Sequence, residues 1–137
     1  MSTVSVRYIV DDIDVAIGFY TGRLGFDVQM HPNDLFAMLV RGDLRLVLVK
    51  PVPAGGQSGG GVAMPDGTMQ HPGGWNRFSI EVTDLDAAVA DLREHGARFR
   101  NDIVEGVGGR QIIVDDPSGN PVELFQPTLS EAKLDAP

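Results

Sequence analysis

The sequence predicts an α+β fold made of two copies of a βαβββ module, and three observations carry this. A stretch near the start, VDDIDVAIGFYTGRLGF from Val10, returns as VTDLDAAVADLREHGARF from Val82. Each copy follows a run of strand character, VSVRYIV in the first and RFSIEV in the second. Each is followed by further strand-like runs that end alike, RLVLVKP and PVELFQP. The repeat spans residues 1–51 and 76–127, with a Gly/Pro-rich stretch at 52–75 between them, inside one domain of 137 residues.

In the first copy, Ile13, Ala16, Ile17, Tyr20 and Leu24 follow the spacing of one buried helical face. Leu85, Ala88, Val89 and Leu92 do the same in the second. Asp11, Asp12 and Asp14 open the first helix, and Asp84 and Asp86 the second, where carboxylates complement the helix dipole. Thr83 or one of the aspartates can cap free N–H groups. Gly25 and Gly96 are left-handed stops. One short amphipathic helix per module must pack on a sheet. The strands after the first helix are expected near Phe26–Met30, Leu35–Val40 and Leu44–Lys50, with Gly42-Asp43 as a tight turn. Those after the second are expected near Arg98–Asn101, Arg110–Val114 and Pro121–Gln126. Asp116-Pro117-Ser118-Gly119-Asn120 has turn chemistry.

The chain has no cysteine, which removes disulfides and thiolate chemistry. A net charge of −8 argues against nucleic acid and against an anionic membrane surface as partners. There is no apolar run of membrane-spanning length and no signal-like start, so a cytoplasmic location is expected. The stretch from Pro51 to Trp75 has the composition of a flexible linker. It is also long for a connection and carries Met64, Met69, His71 and Trp75, as a lid over a ligand would. Its GGQSGGG run lacks the Lys-Ser/Thr and the helix of a nucleotide loop.

VRYIVDDIDVAIGFYTGRLGFDV, FSIEVTDLDAAVADLREHGARF and DPSGNPVELFQP together resemble the vicinal oxygen chelate superfamily of glyoxalases, ring-cleaving dioxygenases, epimerases and bleomycin-resistance proteins. The resemblance covers nearly the whole chain. It implies that the two modules curl their strands into a cup-shaped, partly closed mixed sheet with the helices outside, and that the protein is a homodimer. In metal-dependent members the ion is held by side chains on the first and last strands of each module. The matching positions here are Ser5, Val47, Arg77 and Glu123, and only Glu123 is a good ligand. The bleomycin-resistance branch, without metal or other cofactor, is therefore the expected one.

Strand alternation places Ser5, Arg7 and Ile9, and then Arg77, Ser79 and Glu81, on the cup side. Val4, Val6, Tyr8 and Val10, and Phe78, Ile80 and Val82, face the helices. Arg45, Val47 and Val49 share one face of their strand, and Glu123 and Phe125 share the equivalent one. Two readings of Arg77 and Glu123 stand: an ion pair where relatives hold a metal, or two side chains reaching solvent. His95 suits the last turn of its helix, His31 a turn after a strand, and His71, near Trp75, contact with a ligand. Phe36, Met38, Trp75 and Phe125 can wall a pocket for a planar ligand, or serve as core.

Three functions follow. The first is a metal-free binder that sequesters an antibiotic or a metabolite. The second is a cofactorless enzyme, with Glu123 or Glu81 as general base and Arg77 or Arg45 stabilising an oxyanion. The third is a metal-dependent lyase or dioxygenase using displaced ligands, His71 or Glu81 with Glu123. The first accounts for the missing ligands most directly.

Overall fold

Two aspartates set where the helices begin. The computed structural model of the protein describes residues 3–53 and 60–129. Asp12 stands in extended conformation and accepts from the Val15 N–H at 3.1 Å, opening helix α1 (Ile13–Arg23). Asp84 does the same for the Ala87 N–H at 3.0 Å, opening α2 (Leu85–Glu94). Each side chain satisfies a donor that the first turn leaves without an intrahelical partner. Gly25 and Gly96 follow the two helices with φ of 74° and 79°, a conformation that other residues adopt only with strain.

The chain divides into two units. The first runs to Gly74 and adds the turn Pro117–Asn120; the second holds Trp75–Asp116 and the chain from Pro121 onward. The first carries strands β1 (Val4–Ile9), β2 (Asp27–Asn33), β3 (Phe36–Arg41) and β4 (Leu44–Val49) around α1. Their order is β1-β4-β3-β2, with β1 and β4 parallel and the other pairs antiparallel. The second carries β5 (Ser79–Glu81), β6 (Arg98–Phe99), β7 (Val104–Glu105), β8 (Gly109–Asp115) and β9 (Pro121–Pro127) around α2. Its order is β5-β9-β8-β6, with β7 also on β8 and β5 parallel to β9. These are two mixed sheets, not one closed barrel, and the fold class is α+β.

Each unit packs its helix on one side of its sheet. Ile13, Ala16 and Tyr20 of α1 are buried with Tyr8, Leu39, Leu46 and Leu48. Leu85, Val89 and Leu92 of α2 are buried with Ile80, Ile112, Val122 and Leu124. Along the first strand Tyr8 and Val10 are buried as expected, while Val4, on the same side in register with Leu44, is 67% exposed at the strand's end. The strand opening the second unit is shorter than the RFSIEV run, because only Ser79–Glu81 find ladder partners on β9. The pair β7 was missed: two residues are too few for a periodic signal.

The Gly/Pro-rich stretch is in large part built. Val52 bridges Val62, the Val52 N–H donates to the Gly61 carbonyl, and the Ala63 N–H donates to the Val52 carbonyl. A tight turn at Met64–Thr68 follows, with the Asp66 carboxylate accepting from the Thr68 N–H at 3.0 Å. Hydrogen bonding from the Thr68 side chain, and after it from the Thr68 N–H, holds the Asp66 carboxyl below its usual range. Most of the GGQSGGG run lies outside the described residues. The DPSGN turn does more than reverse the chain. Asn120 is buried; its amide donates to the Ile9 carbonyl and accepts from the Gly73 N–H, both at 2.7 Å. Ser118 Oγ accepts from the Asp11 N–H at 2.9 Å. These bonds tie the end of β1 and the chain around Gly73 within the first unit. No helix among the described residues is long and apolar enough to cross a membrane.

Candidate functional site

The second unit organises its polar residues around Glu123. This residue sits mid-strand on β9, in register with Ser79 on β5 and Ile113 on β8. Arg77 Nε donates to Glu123 Oε1 at 3.1 Å, and Arg77 Nη2 lies 2.9 Å from the same oxygen. Ser79 Oγ donates to Oε2 at 3.2 Å. With its amide nitrogen turned to the carboxylate, the orientation that satisfies both groups, Gln111 donates to Oε1 and Oε2 at 3.1 and 3.0 Å. The Glu123 side chain is only 17% exposed and that of Arg77 28%. A half-hidden carboxylate is thus met by a cation and two neutral donors, the arrangement that offsets its desolvation. Of the two readings of Arg77 and Glu123, the ion pair is the one observed.

Arg77 also reaches back along the chain, its Nη1 donating to the Trp75 carbonyl at 3.1 Å. The Trp75 ring is 68% exposed and takes the Arg100 guanidinium over its face, 4.6 Å from the ring centre. Arg100 Nε in turn donates to Asp115 Oδ1 at 2.6 Å. Phe125 is half-buried and in register with Gln111 and Glu81, so it shares this face. Trp75, Arg77, Ser79, Glu123 and Phe125 therefore belong to one neighbourhood, as the sequence placed them. Gln111 and Arg100 were missed. Gln111 was open to the same alternation that placed Glu123, since its strand was located correctly. Arg100 follows β6 in an irregular segment, where alternation gives no facing.

The first unit holds the rest. Ser5 and Arg7 on β1 pair in register with Arg45 and Val47 on β4. Met38 pairs with Val47 and Phe36 with Val49, so these seven residues lie on the sheet face away from α1. The Arg7 guanidinium rests on the backbone of Gly60, where an added Cβ would collide with it. Gln70 fixes that backbone, donating to the Gly60 and Val62 carbonyls at 2.7 and 3.1 Å. Arg45 Nε is buried and has no hydrogen-bond partner among the described residues.

The histidines stand apart. His71 is exposed and makes no hydrogen bond or ion pair among the described residues. His31 lies within β2 rather than in a turn after it, 3.6 Å from Asp14 of α1, because the strand continues through Pro32 to Asn33. His95 caps the end of α2, Nδ1 lying 2.8 Å from the Asp91 carbonyl. Among the described residues, no three His, Asp or Glu side chains converge as a metal site would require.

Residues 3–124 match the glyoxalase/bleomycin resistance protein/dioxygenase superfamily, and the chain belongs to that family. Among solved structures it is similar to a member of the same superfamily from Sphaerobacter thermophilus DSM 20745, with 27% identity, 92% of this chain and 97% of that chain covered, and a TM-score of 0.69. It is also similar to TnmS3, an antibiotic binding protein from Streptomyces sp. CB03234, with 26% identity, 93% and 97% coverage and a TM-score of 0.67. Lactoylglutathione lyase from Agrobacterium tumefaciens shares the fold at 18% identity, with 91% and 92% coverage and a TM-score of 0.69. A search of the curated proteins finds no match.

Proposed function

We propose that this protein is a metal-independent small-molecule-binding protein of the glyoxalase/bleomycin-resistance type, one that sequesters an antibiotic or a metabolite. The observation that carries the reading is the state of Glu123. It is the single strong ligand among Ser5, Val47, Arg77 and Glu123, and both its oxygens already accept hydrogen bonds, one of them from a guanidinium. A divalent ion would have to displace Arg77, and among the described residues no three His, Asp or Glu side chains gather to hold it. The residues do not fit the metal of the family's metal-dependent enzymes. The same hydrogen bonds leave Glu123 poorly placed to take a proton from a substrate. What remains is a binding surface: polar groups held in place, with Trp75 and Phe125 beside them. The likeness to TnmS3 supports the same choice. The family resemblance adds a homodimer to this reading.

Native mass spectrometry of the purified protein, with elemental analysis beside it, tests this. A metal-free chain carrying an organic adduct, or taking one up from a compound panel, is the expected result. One divalent ion per chain overturns the reading. Elution as a monomer at micromolar concentration removes the dimer.

A further inference from the structure

The sheet face of the first unit that points away from α1 holds two arginines in an unusual state. Elsewhere in this acidic chain, arginines close to carboxylates take them: Arg77 takes Glu123, Arg100 takes Asp115, and Arg110 takes Asp86 and Glu105. Among the described residues, neither Arg7 nor Arg45 has an ion pair or hydrogen bond. Asp27, registered opposite Val40 on the same face, is two strands from Arg45, roughly 10 Å across the sheet, and does not pair with it.

The two differ in exposure: Arg7 is exposed and Arg45 half-buried. Arg7 is laid on Gly60, at a site where any side chain would displace it, and Gln70 holds that glycine. Arg45 has its Nε withdrawn from solvent with no acceptor supplied. A buried donor without an acceptor is rare in folded proteins and marks a place where something else supplies one. Arg7 and Arg45 stand on neighbouring strands as diagonal partners, with Cα atoms about 7–8 Å apart, and Ser5 is directly opposite Arg45. Guanidinium forks on one sheet face suit a planar oxyanion, which takes two parallel N–H bonds. The neighbours Val47, Met38 and Phe36 are apolar and at least half-buried.

We infer that Arg7, Arg45 and Ser5 form an anion site, and that the ligand of this protein is an organic acid: a carboxylate or comparable planar oxyanion on an apolar body. This rests on the small-molecule reading above and names its ligand class. It also reverses the preference for cations that a net charge of −8 would suggest for the surface as a whole.

Calorimetric titration of the full chain with 2-naphthoate, 2-naphthamide and 2-naphthylmethylammonium tests the inference. These probes share one apolar body and differ in charge. Naphthoate is expected to bind about tenfold or more tightly than the amide, less so at high salt. Arg45→Gln and Arg7→Gln should each remove that preference, weakening naphthoate about tenfold more than the amide. Gly60→Ala should weaken naphthoate by displacing Arg7, while retaining both charges. Equal binding of the amide or the ammonium probe, naphthoate affinity unchanged in both glutamine variants, or no binding of any probe overturns the anion site. The first two outcomes leave the small-molecule reading standing. A stoichiometric metal ion would defeat that reading without touching the arginines.

Discussion

On the second unit's sheet, Ser79 faces Glu123 across β5 and β9, and Arg77 closes on that carboxylate. On the first unit's sheet, the corresponding register pair is Arg7 and Val47 across β1 and β4. The repeat thus places a carboxylate in one module and an isopropyl group at the same position of the other. The consequence extends beyond one side chain. Where the carboxylate is present, arginine, serine and glutamine are drawn into a satisfied network. Where it is absent, the arginines of the same face keep their donors for something outside the described chain. On the helix sides the modules remain alike, with the same capping aspartates and aliphatic cores. The comparison teaches that the repeat conserves what holds each module together and differs where a ligand would be met.

That contrast can be broken most forcefully on the side where the modules should agree. Leu39 and Leu124 are both fully buried on the helix side of their sheets. Leu39→Ala and Leu124→Ala should each cost about 2–5 kcal/mol in urea denaturation. A cost below about 1 kcal/mol in either would show that one core is loosely packed. The difference itself is sharpened by the arginines. Arg77→Gln leaves Glu123 as an unpaired, poorly exposed charge and should cost about 1–3 kcal/mol. Arg45→Gln removes an orphaned donor and should fall within about 0.5 kcal/mol of zero, or stabilise. Equal losses in the two would mean that Arg45 has a partner within the fold. The caps fall below Arg77→Gln: Asp12→Ala and Asp84→Ala should each cost about 1 kcal/mol, in similar amounts.

The smallest effect concerns the acids inside the first helical turns. Asp86 meets Arg110, whose hydrogen bond and charge hold its carboxyl below the usual range, while its repeat counterpart Asp14 lies near His31. Arg110 is pushed up in turn, chiefly by its hydrogen bonds to Asp86 and Glu105. A carboxylate whose value is lowered on folding contributes stability above its unfolded value of 3.8, and loses it as pH falls through the lower folded value. Asp86→Asn should therefore reduce stability slightly at neutral pH and flatten the acid limb below about pH 4, a difference that salt diminishes because the pair is exposed. An unchanged acid limb would show that this bridge contributes nothing.

Much of the site was legible because β geometry is strict. Once a strand is placed, alternation assigns faces within it, and the family resemblance set the strand of Arg77 and Ser79 beside that of Glu123 and Phe125. The helix starts were equally legible, since a cap is a local bond between residues three apart. Legibility failed where partners are far apart in sequence or the backbone is irregular. Nothing in DPSGN announces that Asn120 will bind the Ile9 carbonyl 111 positions away. Nothing local to Trp75 predicts Arg100 over its ring. The stretch 51–75 offered linker or lid, and its bonded turns at 60–70 show that the described part is not a bare spacer.

By itself, the sequence determined the α+β class, the repeat, the caps and stops of both helices, and the faces of most strands. These follow from periodicity and from bonds a few residues long, which the chain carries wherever it goes. Only the tertiary structure decided that Glu123 is already claimed by Arg77, Ser79 and Gln111, and that among the described residues none claims Arg7 or Arg45. Charge pairing depends on which donors and acceptors arrive within about 3 Å of each other, and that is set by strand order and register between segments tens of residues apart.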